Sequence, residues 1–362
     1  MSEFKPGLEG VVAFETEIAE PDRDGGALRY RGVNIEELVG VVPFERVWGL
    51  LVDESLRPGL PAAVPYDVTS LTGHTPADLQ SVTARLGADW NLGQLIDIAD
   101  DEAREDLRRV SALMLSVAAQ SARLADGNTI PVDRSLVEAG ETAAERFLLE
   151  WRGEADPRHV VAIDTYWICT AEHGLNASTF AARIVASTGA DCAAALSSAI
   201  GALSGPLHGG APARVLPMLD AAAAAGSIEE YVRGLLDRGD RLMGFGHRVY
   251  RAEDPRARLL RRTAKELGSP RYEIADELER VALAELHARR PDRVLATNVE
   301  FWSAVVLDVA DIPPPLAPAM FACSRTAGWS AHILEQKKLG RLVRPSARYV
   351  GPAPRPLSAV PA

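Results

Sequence analysis

A predominantly helical fold with a small β-hairpin near the N-terminus is what the sequence predicts, and three observations predict it. From Asn34 onward the apolar residues recur at helical spacing and the pattern breaks at glycine and proline. Helix starts are explicit. Ser227 and Glu230 in "SIEEYVRGLLDRG" form a capping box, and in "DPRARLLRRTAKELG" Asp254 caps, Pro255 fits the first turn and Gly268 ends the helix. Only near the start does the period fall to two: Val12, Phe14, Thr16 and Ile18 alternate, a "DRDGG" turn follows, and Leu28 and Tyr30 alternate again, which reads as the hairpin.

Further along, Ala257, Leu260, Ala264 and Leu267 share one helix face, leaving Arg258, Arg261, Arg262 and Lys265 mostly elsewhere, as a solvated basic surface. "DGNTIPVD" reads as a loop, and the alanine run at 221–226 ends a helix. The four prolines of "ADIPPPLAPAMFACSRTAG" precede another helix and mark a return of the chain to an earlier domain. No internal repeat is apparent.

Composition narrows the function. The chain has 362 residues, 47% apolar and 25% charged, which suits a globular protein with a sizeable core. A net charge of -11 argues against nucleic acid or an anionic membrane as the main partner, so an anionic ligand must be met locally. Cys169, Cys192 and Cys323 are scattered and set among small or apolar neighbours; they read as reduced core thiols, and no metal-binding cluster is visible. The start "MSEFKPGLEG" lacks the pattern of a signal peptide and no apolar run is long enough to span a bilayer, so a cytoplasmic location is expected.

Common nucleotide and hydrolase motifs are missing. "GFGHRV" lacks the third glycine and the preceding strand of a dinucleotide fingerprint, and no phosphate loop, nucleophile elbow, HExxH pair or CxxC occurs. Of the seven histidines, His74, His159, His287 and His332 lie in ordinary polar or amphipathic settings and receive no role. His173 in "EHGLNAST", His208 in "GPLHGGA" and His247 in "GFGHRVYR" each sit at a glycine-rich junction, where the backbone can bend and a ligand can approach closely.

These stretches carry a resemblance. "GFGHRVYRAEDPR" looks like the signature of the citrate synthase family, "GPLHGGA" and "EHGLNAST" resemble two further family motifs, and "SRTAG" and "VRPSARYVGP" a fourth and fifth. The likeness runs from "GLEGVVAFETEI" to "YVGP" and is to the short, dimeric members; residues 85 to 130 are the least similar part. It implies an all-α, two-domain fold: a large domain from 1 to 216 and 319 to 362, with a small domain from 217 to 318 between.

The implied reaction is a Claisen condensation of acetyl-CoA with oxaloacetate, followed by hydrolysis to citrate and coenzyme A. A carboxylate base alone cannot remove a proton from so weak a carbon acid; a donor must stabilise the developing enolate oxygen, and neutral histidine suits that work. By resemblance His208 is that donor, His247 polarises the oxaloacetate carbonyl, and His173 helps to hold oxaloacetate. Arg256, Arg325 and Arg344 match the clamps for its two carboxylates, Arg344 reaching across a homodimer; forked guanidiniums suit such bidentate contacts. Arg251 is implied as a phosphate contact of coenzyme A, with Met243, Gly244, Phe245 and Gly246 offering backbone to its adenine. The coenzyme A thioester is a co-substrate, and no tightly bound cofactor or metal is implied.

One position departs from the family pattern. Where members carry Asp in a short "NVD" segment, this chain reads "TNVEFW" and offers Glu300 as the base. The extra methylene moves the carboxylate by roughly an ångström, and a misplacement of that size costs on the order of a hundredfold in rate. Three readings stay open at this point: citrate synthase, 2-methylcitrate synthase using propionyl-CoA, and a weakly active or non-catalytic paralogue that binds oxaloacetate or coenzyme A.

Overall fold

Helices form almost every layer of the molecule. The structure is a computed structural model that describes residues 4–22, 24, 26–67, 70–205, 208–209, 214–246, 250, 253–291, 295–359 and 361. Three short strands, β1 (Ala19–Asp22), β2 (Ala27–Tyr30) and β3 (Val33–Asn34), pair antiparallel in that order, with Ala19 opposite Tyr30 and Tyr30 opposite Val33. The helices that follow are α1 (Ile35–Leu38), α2 (Phe44–Asp53), α3 (Thr75–Asp89), α4 (Asp100–Ala125), α5 (Arg134–Glu138), α6 (Ala143–Arg152), α7 (Pro157–Thr170), α8 (Ala177–Ser187) and α9 (Cys192–Leu203). After these come α10 (Val215–Ala224), α11 (Ile228–Asp237), α12 (Pro255–Glu266), α13 (Tyr272–Arg289), α14 (Val299–Val309) and α15 (Ala317–Leu339).

The hairpin starts later than the alternation implied. Val12 is 87% exposed, whereas Ile18, Leu28 and Tyr30 are fully buried. Ile18 O still accepts from Arg31 N at 2.9 Å, but just before it Glu335 of α15 binds the chain, its Oε1 accepting from Thr16 Oγ1 at 3.1 Å and from Glu17 N at 3.0 Å. The predicted caps form as read: Ser227 Oγ accepts from Glu230 N at 3.2 Å, and Asp254 Oδ1 from Arg256 N at 3.0 Å. The three cysteines are free and buried. Among the described residues no helix is long and apolar enough to cross a membrane.

α15 is the helix on which the rest is assembled. It is buried on nearly every side from Ala317 to Gln336 and packs on α2, α4, α7, α8 and α9. A surface helix shows one apolar stripe; this one is enclosed, which explains why its small and polar residues follow no amphipathic period. The rings of Phe44 and Phe147 close on Trp167 of α7, with centroids 5.3 and 5.6 Å away. Helices α10 to α14 pack on one another, α10 and α11 on α13, and α12 on α14, and join the first group where α12 and α14 lie against α7.

Tyr30 ties the sheet to the end of α7. Its hydroxyl lies 2.9 Å from Ile168 O and 3.1 Å from Glu172 O, and accepts from Glu172 N at 3.3 Å, all in the interior. Removing it strands buried backbone groups, which costs about 1–3 kcal/mol. Tyr30→Phe is therefore expected to lower unfolding stability by that amount in denaturant titration; a loss below about 0.5 kcal/mol would mean these groups find other partners.

Candidate active site

The junction between α7 and α8 forms one wall. Asn176 caps α8, its Oδ1 accepting from Ser178 N and Thr179 N at 3.1 Å each, and this bend brings His173 beside Tyr250. The His173 Nε2 and the Tyr250 hydroxyl share a hydrogen bond of 3.0 Å, with the rings edge to face. His208 follows α9 on a turn held by its amide donating to Gly205 O at 3.0 Å. Its Nε2 lies 2.9 Å from Ser178 Oγ.

The serine hydroxyl constrains the histidine. Trp329 Nε1 donates to Ser178 Oγ at 3.2 Å, and an indole N–H can only donate, so the single hydroxyl proton goes either to Asn176 Oδ1, 2.9 Å away, or to His208 Nε2. When it goes to His208, the ring proton resides on Nδ1, which then acts as a donor. Burial and the nearby Arg325 charge push the His208 pKa down to about 4, so the ring is neutral at physiological pH.

Two arginines lie in the interior beside it. Arg256 is 3% exposed and is gripped by Asp254, with Nε to Oδ1 at 3.0 Å and Nη2 to Oδ2 at 2.8 Å. Burial opposes its charge, but Asp254 outweighs burial and raises its pKa. Arg325 of α15 is 2% exposed, and its Nε donates to Thr170 O, the last carbonyl of α7, at 2.8 Å. Its Nη1 and Nη2 make no hydrogen bond and no ion pair among the described residues, and burial pulls its pKa down. A buried cation is costly unless paired, so such a guanidinium is a standing invitation to an anion.

Glu300 opens α14, where Asn298 Oδ1 caps by accepting from Glu300 N at 3.0 Å. Burial pushes its carboxyl pKa up, and the Arg256 charge offsets part of that rise. Residues 244–246 are bound to the same helix start. Phe245 bridges Thr297, Gly246 N donates to Ala296 O at 2.8 Å, Asn298 N donates to Gly244 O at 2.9 Å, and Asn298 Nδ2 to Gly246 O at 3.1 Å. In this pattern Phe245 takes the non-hydrogen-bonded position, leaving its own amide and carbonyl uncommitted to that bridge. Gly244, at φ +85°, is required: a Cβ there would stand 2.6 Å from the Phe301 Cβ.

Behind this wall runs a buried polar chain. Glu172 is fully buried; His332 Nε2 is 3.2 Å from its Oε1, and His332 Nδ1 is 2.8 Å from Arg183 Nη1. Arginine can only donate, so Nδ1 accepts and Nε2 carries the proton directed at Glu172. Arg183 also pairs with Glu335, and donates from Nε to Gln336 Oε1 at 3.1 Å. Burial raises the Glu172 pKa, but His332 and Arg325 together outweigh it and hold the carboxyl ionised. Its Oε2 has no hydrogen-bond partner among the described residues, and it abuts Gly328, where a Cβ would come within 2.0 Å.

Of the residues singled out in the sequence, the Arg325 charge bears on His208 and Arg256, the Arg256 charge on Glu300 and Tyr250, and Tyr250 shares a hydrogen bond with His173. Met243 to Gly246 adjoin them through the Glu300 helix start. Arg344 stands apart on the extended segment after α15, exposed and without a hydrogen bond or ion pair among the described residues. His247 and Arg251 lie outside the described residues. Sequence reasoning missed Ser178, Tyr250, Glu172 and the structural role of His332, and saw Asp254 only as a cap. The basic face of α12 is largely self-neutralised, with Arg258 paired to Glu36 and Glu253, and Arg261 to Glu253 and Glu279. No group of His, Cys, Asp and Glu among the described residues is arranged to hold a metal ion.

With that geometry established, comparison with known proteins is direct. The family model described as "Citrate synthase, C-terminal domain" matches residues 7–346. A Mycobacterium tuberculosis protein named "Putative citrate synthase 2" is 60% identical over 353 residues, covering 97% of this chain and 94% of that one. Citrate synthase from Haloferax volcanii is 37% identical, covering 96% of each chain. Among solved structures, the ternary complex of carboxymethyl coenzyme A and oxaloacetate with citrate synthase from Thermoplasma acidophilum superposes with a TM-score of 0.84 at 27% identity, covering 99% of this chain and 100% of the other. The chain belongs to the citrate synthase family. It is an acyltransferase of the citrate synthase type.

Two outcomes follow from the site's electrostatics. Asp254→Asn leaves the Arg256 charge buried without its carboxylate, and a loss of about 3–5 kcal/mol in unfolding free energy is expected from denaturant titration; a loss under about 1 kcal/mol would show the pair to be solvated. The His208 ring, followed by NMR, should stay neutral down to about pH 4. Between its ordinary value of 6.5 and about 4 the unfolded chain binds a proton that the folded chain refuses, so this group's stabilising contribution is present above 6.5 and is lost as pH falls through that window. A ring titrating near 6.5 would contradict the burial.

Proposed function

We propose that the protein is a citrate synthase, condensing acetyl-CoA with oxaloacetate and hydrolysing the thioester product to citrate and coenzyme A. The observation that carries this reading is Arg325: a buried guanidinium with both Nη groups unpaired, next to a neutral histidine and a buried carboxyl. A small dicarboxylate supplies the missing anion, and the relative in Thermoplasma acidophilum was solved with oxaloacetate and a coenzyme A analogue.

In the proposed sequence Glu300 takes a proton from the acetyl methyl group while His208 donates from Nδ1 to the thioester oxygen, stabilising the enolate. The methylene carbon then bonds to the oxaloacetate carbonyl carbon, whose oxygen takes up the electron pair and is protonated, a role that falls to His247. Water finally adds to the thioester and coenzyme A leaves as the thiol. His173, Arg256 and Arg325 hold oxaloacetate. Arg251 meets the coenzyme phosphates, and the backbone of Met243 to Gly246, with the uncommitted amide and carbonyl of Phe245, faces the adenine. Raising the Glu300 pKa by burial brings the base closer to working pH, where general bases are most effective.

The remaining elements of the proposal concern assembly. Residues 1–216 and 319–362 form a large domain and 217–318 a small one, and closing them excludes water from the enolate. Arg344, exposed on its extended segment, completes the oxaloacetate clamp of a second copy in a homodimer. The protein acts in the cytoplasm.

The test is thiol release from purified protein given oxaloacetate and either acetyl-CoA or propionyl-CoA, with the product acid identified. Faster release with acetyl-CoA and citrate as product is expected; a propionyl-CoA preference would make the enzyme a 2-methylcitrate synthase, and no release from protein that still binds oxaloacetate would leave only a binding role. Glu300→Gln is expected to lower turnover by about 10²–10⁴-fold with little change in oxaloacetate affinity. Turnover of the unaltered enzyme should fall as pH drops through a value above the ordinary 4.5 of a glutamate, since the base must be ionised. Full turnover by the Gln variant would remove Glu300 from the chemistry.

A further inference from the structure

A cavity of about 540 Å³ opens between α4 and α6, covered by the segments around 61–71 and 128–138, and no residue of the candidate active site lines it. Its volume lies within the range of small-molecule sites. Leu71, Leu115, Leu124, Ile130, Val137 and Phe147 supply apolar wall, and three carboxyls line it: Glu150, Glu138 and Asp67.

The carboxyl is held in an unsymmetrical way. Ser116 Oγ donates to Glu150 Oε1 at 2.7 Å and Gln120 Nε2 donates to the same oxygen at 2.9 Å, while Gln120 Nε2 also donates to Ser116 Oγ at 3.0 Å. These three bonds fix the side chain and commit the serine proton to Oε1. The other oxygen, Oε2, accepts no hydrogen bond among the described residues. It is not among the buried polar atoms that lack partners, and Glu150 is one of the residues lining the cavity.

The arginines of the lining are each held by hydrogen bonds, Arg134 alone of them by a carboxylate. Arg123 donates to Ile130 O at 2.8 Å and Trp151 O at 3.0 Å, Arg146 to Gly140 O at 3.1 Å, and Arg134 to Glu138 Oε1 at 2.6 Å and to Ala63 O. The other ionisable groups of the lining are Tyr66, bonded to Asp89, and Asp67. Glu150 therefore lines a partly apolar chamber with one oxygen pinned, the other accepting no hydrogen bond, and no ion-pair partner among the described residues.

We infer that this cavity is a second ligand site, separate from the catalytic cleft, for a small organic cation: a primary ammonium on an apolar body, its N–H donating to Glu150 Oε2. The apolar walls accept the body, and a charge-assisted bond to the carboxylate fixes its orientation. Burial, eased by Ser116, Gln120 and Arg134, pushes the Glu150 pKa up to about 7, so an ammonium ligand competes with a proton for the same oxygen.

Calorimetric titration of the full-length protein with benzylamine, and with benzyl alcohol as a neutral counterpart, tests this. Benzylamine is expected to bind, with affinity falling by about tenfold per pH unit below about 7 and with proton release on binding near that pH. Benzyl alcohol should bind more weakly and without that pH dependence. Glu150→Gln should weaken benzylamine at least about tenfold while leaving thiol release unchanged, since Glu150 is not part of the catalytic machinery. Absence of benzylamine binding at millimolar concentration, equal affinity for the alcohol, or undiminished affinity in the Gln variant would each overturn the inference. The pH series on the unaltered protein decides the matter if that variant does not fold.

Discussion

The structure is organised around a cation placed where a cation is expensive. Arg325 sits in the middle of the most enclosed helix, α15, held by a single carbonyl at the end of α7. The guanidinium lies over the Phe321 ring at 4.8 Å but has no carboxylate in contact among the described residues, and a buried charge without such a partner is costly. Glu172 lessens the cost from a distance, since its charge supports that of Arg325. Arg256 shows the alternative arrangement: equally buried, but with Asp254 bonded to it in a fork. One arginine is thus matched by a carboxylate within the chain, and the other makes no ion pair among the described residues.

That division shapes the surroundings. Glu172 must remain charged at zero exposure, and it does so through His332, whose tautomer Arg183 fixes, while Arg183 is balanced in turn by Glu335. Glu335 reaches the N-terminal segment at Thr16 and Glu17, so the residues leading into the hairpin are tied to the end of the same chain of charges. Gly328 allows Glu172 to lie against α15; any side chain there would collide with the carboxyl. His208 is neutral through burial and the nearby Arg325 charge, and a neutral ring has one nitrogen that can accept and one that donates.

Much of this was legible in the sequence, and the limits have physical causes. Caps such as Ser227 and Asp254 act within three residues, so local reading finds them. The glycine-flanked histidines and their motifs carry the family resemblance, which the comparisons bear out. Long-range partners were not readable. Ser178 looks like an ordinary first-turn serine until Trp329, 151 residues away, donates to it. His332 looks amphipathic because α15 is enclosed on all sides and its period signals nothing. The hairpin was placed several residues early because alternation at 12 to 18 is indistinguishable from a strand unless one knows that Glu335 competes for the backbone. Glu300 is legible as a departure from Asp, and the structure shows it half-buried under the Arg256 charge rather than on the surface.

The central claim, that Arg325 is kept unpaired for a dicarboxylate, is tested most directly by measuring oxaloacetate affinity and ligand-free stability together in the unaltered protein and in Arg325→Gln. The account predicts that the variant loses about 10²-fold or more in oxaloacetate affinity, while its ligand-free stability stays within about 1 kcal/mol or rises, because an uncompensated buried charge has been removed. Unchanged affinity, or a variant destabilised by several kcal/mol with its affinity intact, would contradict it and make Arg325 a structural residue.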